Sequence, residues 1–474
     1  MSELHGRGQV KVLHVLAKSR PELNGYSIRG HEIMKAQIDS GRALPIAITS
    51  PYYPELDSMK EHAVIDGIRY NRCPPINLSN KGGLRMGFLR FRVRKKLQNR
   101  GVGNTKKSDI AKGDKGLAST IWGSVSGLSR MFLSFIEERL QMEYFQQYSD
   151  KVLAEMEPDF VHAHTPYRVG IPALRSAGKF GIPFIYEVRG LWEDSAVARG
   201  NFRNNGFRYR RFRRLETKVM KSADAIICIS EGVAGELVNR GVQEHRITVV
   251  GNGAPLEYIS GSALEPSINS LTEAAYSKFK EINDVRGDSR VIGYIGSTQR
   301  YEGLEILADA VKIVNSKGSA VRLLIVGSTD YQEELSDYCK KIGISDVTTI
   351  CGPFDRSEIL SFYSLIDIFV VPRLPFSKMA RLVTPLKPLE SMALGIPTIV
   401  SDTPAMREIV GDGVGIFFGG GKSEELAEKI SLLLENPDLC KRMTEKGQAW
   451  VRENATWDIA AGKISQVYTS IAKD

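Results

Sequence analysis

The stretch VTPLKPLESMALGIPTIVSD, residues 383–402, predicts a short helix followed by a buried strand. The apolar run IDIFVVP (366–372) ahead of it predicts another strand, so the order is strand, loop, helix, strand. That order is the repeating unit of a doubly wound, mainly parallel sheet. Because a helix N-terminus carries free N–H groups and a partial positive charge, the start of this helix is a candidate diphosphate site.

Residues at the start of this helix are candidates for binding a nucleoside diphosphate. Thr384 is predicted to cap the helix, with Pro385 at the first helical position and Leu386 after it. Glu390 then falls early in the helix, where its carboxylate could accept both hydroxyls of a ribose. An ordinary surface glutamate in a strand–loop–helix unit is the alternative interpretation.

Further apolar runs place this unit within two tandem sheets. The first set of predicted strands covers residues 10–16, 45–50, 159–164, 183–188 and 225–230, and the second covers 290–297, 321–328, 347–353, 366–372 and 395–402. At 474 residues the chain suits two domains of roughly 200 residues each. We predict two Rossmann-like α/β halves with a ligand site in the cleft between them, because such sheets bind ligands at the carboxyl ends of their strands.

The same pattern divides the chain into segments. We predict a first domain over 1–254, a connector over 255–289, a second domain over 290–452 and a terminal amphipathic helix over 453–474. The stretch from about 80 to 130 interrupts the alternation and is predicted to be an insertion in the first domain. It interleaves basic with bulky apolar residues, which suits an interfacial membrane helix or an ordinary docking helix.

Composition excludes several protein classes. Hydrophobic residues make up 42% and charged residues 25%, the balance of a globular protein rather than a disordered or fibrous one. No window holds the roughly 18 consecutive apolar residues of a membrane span, and the polar N-terminus does not predict a signal peptide. The five scattered cysteines form no CxxC pair, which favours neither a disulfide framework nor a zinc site. We expect a cytoplasmic protein.

The formal charge of +9 is unevenly distributed. Residues 81–115 hold twelve Lys or Arg against two Asp, and RGNFRNNGFRYRRFRR (199–214) holds seven arginines and no acid. Such patches suit anionic partners such as lipid headgroups, phosphates or nucleic acid, and a solvated basic loop is the alternative. No recognisable nucleic-acid-binding motif accompanies them, so we expect no nucleic-acid partner.

Polar residues also end two predicted strands of the first domain. VHAHTP (161–166) puts His162 and His164 on one face of a strand, and Glu187 and Arg189 end the next strand and could face the same cleft. In the loop after the first strand, Gly25 would let the backbone approach a phosphate or sugar closely. The histidines could instead be structural or bind a metal, but no nearby Asp, Glu or Cys set completes a metal site.

The run ESMALGIPTIVSDTPAMREIV (390–410) resembles glycosyltransferase family 4, and YEVRGLWEDSA (186–196) and NGYSIRG (24–30) resemble a branch found in bacterial exopolysaccharide and exosortase-associated gene clusters. The resemblance implies the GT-B fold, a retaining mechanism, no divalent metal and a terminal helix that crosses back to the first domain. It places Glu390 on the ribose and His164 near the reacting sugar. The family's first motif glutamate would fall at Leu382 and is missing.

A second departure from the family concerns the donor diphosphate. Relatives carry an Arg and a Lys in the first loop of the second domain, where GSTQRYEGLEIL (296–307) has Ser297 and Glu302. A diphosphate in a partly desolvated cleft still needs cations. Our hypothesis is that the clamp has moved to the cation-rich loop that follows the predicted strand 366–372 and to the start of the next helix, with its charges on Arg373, Arg381 and Lys387; Arg300 is an alternative.

The resemblance favours an active enzyme that moves a sugar from a nucleotide-sugar donor, UDP- or GDP-linked, to a hydroxyl of a lipid-linked or glycan acceptor in surface polysaccharide synthesis. The positive patches favour a peripheral position on the inner face of the plasma membrane. A GT-B scaffold that has lost catalysis is the main alternative, because the first motif glutamate is absent. Another GT-B chemistry, such as epimerisation of a sugar nucleotide, is a further one.

Overall fold

The structure, a computed structural model, describes residues 9–22, 24–52, 61–75, 127–260, 271–327 and 331–472. Its strands form two separate sheets. The first sheet contains β1 Lys11–Leu16, β2 Leu44–Thr49, β3 His62–Ile65, β4 Ile68–Arg72, β5 Phe160–His164, β6 Phe184–Val188, β7 Ala225–Cys228 and β8 Ile247–Val249. The second contains β9 Arg290–Ile295, β10 Val321–Val326, β11 Thr348–Cys351, β12 Ile368–Val371, β13 Thr398–Ser401 and β14 Ile416–Phe418.

Helices separate these strands along the chain. They are α1 Gly25–Asp39, α2 Gly127–Met156, α3 Tyr167–Phe180, α4 Trp192–Ala198, α5 Phe207–Ser222, α6 Glu231–Asn239, α7 Glu273–Arg286, α8 Leu304–Ser316, α9 Gln332–Ile342, α10 Arg356–Tyr363, α11 Lys378–Leu382, α12 Lys387–Ala393, α13 Pro404–Arg407, α14 Ser423–Glu435, α15 Pro437–Asn454 and α16 Trp457–Ile471. Short 3-10 turns add Glu244–Arg246, Leu256–Ser260, Arg300–Glu302 and Ser345–Val347.

The order of the strands confirms the predicted fold class. The first sheet runs β3-β4-β2-β1-β5-β6-β7-β8 and the second β11-β10-β9-β12-β13-β14. Within the second sheet the strands pair in parallel, in the order of a Rossmann fold. Strand order reverses at β1 and β5 in one sheet and at β9 and β12 in the other, and these switch points are where such sheets bind ligands.

The terminal helix crosses back to the first domain, as predicted. Buried side chains of α16, including Trp457, Ile464 and Tyr468, share one apolar core with Val12 of β1 and Ile33 of α1. The chain passes between the domains twice, near Ala254 and near Ala455. A backbone hydrogen bond of 2.8 Å from the Ala254 N–H to the Ala455 carbonyl joins these two segments. Burial of this amphipathic stripe stabilises the helix and couples the chain's C-terminus to the first sheet.

Two predicted segments, the insertion and the connector, lie only partly within the described residues. The insertion predicted at about 80–130 lies largely outside the described residues, and α2 begins at its end. In the predicted connector, α7 places Ala275, Phe279 and Ile282 in the apolar core of the second domain. No described helix is long and apolar enough to cross a membrane.

Candidate functional site

The loop before α12 lies against the first domain. The Thr384 hydroxyl donates to the Ile229 carbonyl at 3.2 Å, and the Asn252 amide donates to the Thr384 carbonyl at 2.8 Å. The N-cap of α12 is Leu386, so the prediction that Thr384 caps the helix, with Pro385 at its first position, is wrong. The Thr384 hydroxyl thus donates to a carbonyl of the first domain and joins this loop to that domain.

Behind this loop, two of the predicted clamp cations meet a buried carboxylate. Glu302 is 2% exposed and lies 3.1 Å from Arg373 Nη2 and 3.0 Å from Lys387 Nζ. Burial alone would raise the pKa of Glu302, but Arg373 and Lys387 hold it below the ordinary value. Burial lowers the pKa of Lys387, and Glu302 opposes that shift. With both cations charged and the carboxylate ionised, the trio carries a net charge of +1.

Arg373 also holds the loop in place. Its Nη1 donates to the Val383 carbonyl at 2.7 Å, and the side chain is buried. Lys387 extends past Gly296, which ends β9: a Cβ at Gly296 would lie 2.1 Å from Lys387 Cε. Gly296 has φ +147°, a conformation that L side chains rarely adopt. The loop after β9 therefore needs glycine at this position so that Lys387 can lie beside it.

The other predicted donor residues lie around this trio. Ser297 is exposed, and its carbonyl accepts a hydrogen bond of 2.8 Å from Tyr294 Oη. Arg381 is exposed at the end of α11 and is not brought to Glu302. Arg300, the alternative cation, pairs with Glu334 and covers the Tyr331 ring. The structure thus brings Arg373 and Lys387 together and leaves Arg381 and Arg300 apart from them.

Glu390 lies one turn along α12 from Lys387. It is partly exposed and accepts a hydrogen bond of 3.2 Å from Tyr363 Oη. Residues three apart on a helix share a face, so the ammonium and the carboxylate point to the same side. Across the interface, Gly25 is exposed in the first turn of α1, and a Cβ there would lie 3.9 Å from Leu386 Cδ1. That is ordinary contact, so glycine is not sterically required at position 25.

In the first domain, Glu187 is the centre of a fully buried ionic cluster. Its Oε1 accepts from Arg29 Nε at 2.7 Å and from Arg189 Nε at 3.0 Å, and its Oε2 lies 3.0 Å from His164 Nδ1 and 3.2 Å from His162 Nε2. Burial alone would raise the pKa of Glu187, but Arg189 and Arg29 hold it well below the ordinary value. The cluster predicted from two strand ends is therefore assembled, but it lies under the surface.

Sequence reasoning missed Arg29 and His14. Arg29 lies in the NGYSIRG motif and also donates to the carbonyls of Val250 and Gly251, at 2.9 and 2.7 Å. His14 lies on β1 directly opposite His162 of β5, and its Nδ1 is 3.1 Å from His164 Nε2. An alignment of the predicted parallel strands β1 and β5 would have indicated His14. It occupies the position in β1 that matches His162 in β5, so its side chain lies on the same face of the sheet as His162 and His164.

The three histidines have ring nitrogens within 4.8 Å of one another, a geometry that metal ions use. No nearby Asp, Glu or Cys set was identified from the sequence, but Glu187 lies within 3.2 Å of both His162 and His164, and His14 approaches them as well. Two of these rings also form hydrogen bonds with protein groups: Gln37 Oε1 is 3.1 Å from His14 Nε2, and Tyr468 Oη is 2.8 Å from His162 Nδ1. The absence of a metal cofactor stays a prediction.

Arg189 joins this cluster to the first turn of α1. Its Nη1 donates to the Tyr26 carbonyl at 2.6 Å, its Nη2 contacts His164 Nδ1, and its guanidinium covers the Tyr26 ring. Both nitrogens of His164 thus have protein partners, and the side chain is fully buried. Contact between His164 and a sugar would require one of these partners to move.

Known proteins share both halves of this architecture. The family model for Glycosyl transferases group 1 matches residues 276–450, and the model for Glycosyltransferase Family 4 matches 111–258. The capsular polysaccharide biosynthesis glycosyltransferase CapM of Staphylococcus aureus is 27% identical over 296 residues, 61% of this chain and 71% of CapM.

Two solved structures extend the likeness to the whole fold. Sucrose-phosphate synthase of Thermosynechococcus elongatus aligns with 98% of this chain and 99% of its own, at 14% identity and a TM-score of 0.66. Anabaena HepE in complex with UDP and glucose aligns with 98% of this chain and 100% of its own, at 14% identity and a TM-score of 0.63. With both family models matched and the two-sheet fold observed, the chain belongs to glycosyltransferase family 4 and is a glycosyltransferase.

Proposed function

We propose that this glycosyltransferase moves a sugar, with retention of anomeric configuration, from a UDP- or GDP-sugar to a hydroxyl of a lipid-linked or glycan acceptor in bacterial surface polysaccharide synthesis. CapM supports the polysaccharide assignment, because its name places it in capsule biosynthesis. The complexes of HepE with UDP and glucose and with UDP-glucose support a nucleotide-sugar donor.

The observation that carries the proposal is the placement of Lys387 and Glu390 on one short helix at the switch point of the second sheet. Lys387 lies beside the loop after β9, and Glu390 follows one turn later on the same face. In our proposal the ammonium meets the donor diphosphate and the Glu390 carboxylate accepts the ribose hydroxyls. Arg373 and Glu302 hold the lysine and the loop in position.

The proposed reaction needs little acid–base machinery. The bond between the sugar C1 and the diphosphate oxygen breaks, a bond forms from C1 to the acceptor oxygen on the same face, and the acceptor proton passes to the departing diphosphate. Catalysis then depends on holding donor and acceptor together and on stabilising the charge that develops on the leaving group. Lys387 supplies that charge stabilisation, and the first-domain cluster around Glu187 supports the opposite wall.

A lipid-linked acceptor would bring the enzyme to the membrane, and one described surface suits this position. On and before α5, five arginine side chains are exposed, beside Phe207, which is 56% exposed. The five are Arg199, Arg203, Arg208, Arg210 and Arg214, which we call the arginine surface. Arg211 and Arg213 point inward to Glu138 and Glu236. An exposed aromatic ring among cations fits an anionic bilayer, so we propose a peripheral position on the inner face of the plasma membrane.

Purified protein incubated with UDP-, GDP- and ADP-sugars, with and without lipid acceptor, tests the proposal. We expect nucleotide release with at least one donor, greater with acceptor, unchanged by EDTA, and an α-linked product from an α-linked donor when followed by proton NMR. Absence of release with every donor, in protein that binds nucleotide normally, would favour the scaffold alternative. An inverted product would contradict the retaining mechanism.

A further inference from the structure

The side chains around His164 form a hydrogen-bonded chain that reaches the terminal helix and returns to Arg189 through the contact of His162 with Glu187; we call it the circuit. His14, His162 and His164 are fully buried, with ring centroids 4.6–5.3 Å apart. Burial, the largest cause in each case, lowers the pKa of all three, so the rings are neutral at pH 7. A neutral imidazole has one donor nitrogen and one acceptor nitrogen. Once one ring nitrogen is known to accept, the other must donate, so the hydrogen-bond roles can be followed from one ring to the next.

The direction of donation follows from Arg189, which can only donate. Because Arg189 Nη2 contacts His164 Nδ1, that nitrogen accepts and Nε2 carries the proton. His164 Nε2 then donates to His14 Nδ1 at 3.1 Å, and His14 Nε2 donates to Gln37 Oε1 at 3.1 Å. With its carbonyl so engaged, Gln37 turns its amide nitrogen toward Tyr468 Oη, 3.2 Å away.

Tyr468 completes the circuit. Its hydroxyl accepts from Gln37 and therefore directs its own proton to His162 Nδ1 at 2.8 Å. His162 then carries its proton on Nε2, which lies 3.2 Å from Glu187 Oε2, an acceptor. Glu187 in turn pairs with Arg189, where the circuit began. The circuit thus starts at Arg189, which can only donate, and ends at the ionised Glu187, which can only accept. Each group between them has one donor and one acceptor role that agree with its neighbours.

The reversed circuit is less favourable. It would put the His164 Nδ1 proton against Arg189 Nη2 and the lone pair of His162 Nε2 against Glu187 Oε2, two contacts between like groups. The direction traced above has one such contact, between the His164 Nδ1 lone pair and Glu187 Oε2 at 3.0 Å, and Arg189 lies beside both groups. The observed geometry therefore selects the Nε2–H tautomer of all three histidines.

We propose that Tyr468, held in place by Gln37, is a positioning residue that locks His162 in the Nε2–H tautomer and so supports the Glu187 carboxylate that pairs with Arg189. The terminal helix thereby contributes a side chain to the buried cluster around Glu187 as well as packing to the first domain. The effect on catalysis rests on the proposed function, in which this wall of the cleft faces the donor. The tautomer itself does not depend on that function.

The test compares Tyr468→Phe, Gln37→Met and the wild type in the full-length protein labelled with 15N-histidine. Ring 15N shifts distinguish protonated from unprotonated nitrogens. We expect three buried histidines with protonated Nε2 only in the wild type, and mixed tautomers of His162 in either variant, because Arg189 still fixes His164. Tyr186→Phe is the matched control, because it removes another buried hydroxyl, bonded to Glu216 at 2.7 Å, outside the circuit. Unchanged tautomers in both variants would overturn the proposal.

Kinetics then test the link to catalysis. With an active donor we expect Tyr468→Phe and Gln37→Met to lower kcat about tenfold with little change in donor KM, and Tyr186→Phe to leave both near wild type. Equal kcat in Tyr468→Phe and Tyr186→Phe, despite an altered tautomer, would overturn the positioning role. If the wild type itself transfers no sugar, the proposed function fails while the 15N spectra still decide whether the circuit exists.

Discussion

Lys387 Nζ lies 3.0 Å from Glu302 Oε1, and this pair joins the helix that carries Glu390 to the loop after strand β9. By resemblance, relatives have a cation at the position of Glu302 and a carboxylate at the position of Leu382. Leu382 here packs on the first domain: a Cβ at Gly232 would lie 3.1 Å from its Cδ2. Glu302 therefore has a negative charge where the resemblance implies a cation, and Leu382 makes an apolar contact where the resemblance implies a carboxylate.

Removal of the Lys387 charge should weaken nucleotide binding. Charged hydrogen bonds contribute about 1.5–3 kcal/mol, so Lys387→Met should raise the Kd for UDP or GDP roughly 10- to 100-fold in calorimetric titrations. Arg381→Ala should have a smaller effect, because Arg381 is exposed and lies apart from Glu302. Lys422→Ala, on the surface of the second domain, is the control. Unchanged affinity in both clamp variants would show that the relocated clamp is wrong.

Replacement of Glu302 should make stability depend on nucleotide. Glu302→Gln leaves Arg373 and Lys387 without their anion, and loss of one partner from a buried pair costs about 3–5 kcal/mol. A bound diphosphate can replace that negative charge, so saturating UDP should restore more stability to the variant than to the wild type in urea denaturation. Glu138→Gln, which breaks a buried pair in the first domain, should show no such difference. Equal stabilisation of Glu302→Gln and wild type by UDP would contradict the prediction.

A ribose contact at Glu390 predicts a dependence on the ribose hydroxyls. Glu390→Ala should weaken UDP binding about tenfold, the loss of one charged hydrogen bond, and should not change the affinity for 2′,3′-dideoxy-UDP. Tyr363→Phe removes only the partner hydroxyl of Glu390 and should have a smaller effect. Equal losses of affinity for both nucleotides would place Glu390 away from the ribose.

Local patterns in the sequence were sufficient to predict ten of the fourteen described strands and the class of fold; β3, β4, β8 and β14 were missed. Apolar runs marked the predicted strands to within a few residues, because a strand buried on both faces needs them. The hairpin of β3 and β4 was missed although its signal was present: Asp66 and Gly67, with φ of 51° and 78°, form the tight turn between the strands. A pattern based on buried parallel strands does not detect an edge hairpin with alternate exposed residues.

The pairing of side chains could not be predicted from the same patterns. Glu302 and Lys387 are 85 positions apart, and their contact depends on how the two βα loops meet at the β9–β12 switch point. The meeting of His14 with His164 depends on the alignment of β1 with β5, and the role of Tyr468 on the docking of α16. Each is a tertiary relationship that residue type and local spacing do not encode.

Charge reversal on the arginine surface should reduce membrane binding. The change of Arg203, Arg208, Arg210 and Arg214 to Glu should abolish flotation with anionic vesicles, because each cation contributes about 1 kcal/mol near such a surface. A matched control reverses four exposed lysines of the second domain, Lys280, Lys341, Lys441 and Lys446. Deletion of 81–115, which lies outside the described residues, is tested in parallel. Full flotation of the arginine variant would exclude this surface as the membrane contact.

The buried histidines and Glu216 together predict a maximum in stability near pH 6.5. Because burial lowers the pKa of His14, His162 and His164, the unfolded chain takes up protons below about pH 6.5 while the folded chain does not. Each histidine therefore lowers the free energy of unfolding by about 1.4 kcal/mol per pH unit as the pH falls below that value. Their stabilisation is complete above pH 6.5 and is lost in acid.

Glu216 acts in the opposite direction. Burial, reinforced by Glu193, raises the pKa of Glu216 to about 8, so the folded protein holds a proton that the unfolded chain loses above about pH 4.5. Stability from this group is full at low pH and falls by about 1.4 kcal/mol per pH unit between the two values. Stability therefore rises with pH below about pH 6.5, where the three histidines act together, and falls above it, where Glu216 acts alone.

Urea denaturation between pH 5 and pH 8 measures the free energy of unfolding on both sides of the predicted maximum. Glu216→Gln should remove the decline above pH 6.5 and steepen the rise below it, whereas His162→Asn should make that rise shallower. His245→Gln is the control, since His245 is exposed and its loss should leave the profile unchanged. A stability that falls as the pH rises from 5.5 to 6.5, which is the effect of Glu216 alone, would show that the three imidazoles take up protons in the folded protein and would contradict their burial as neutral rings.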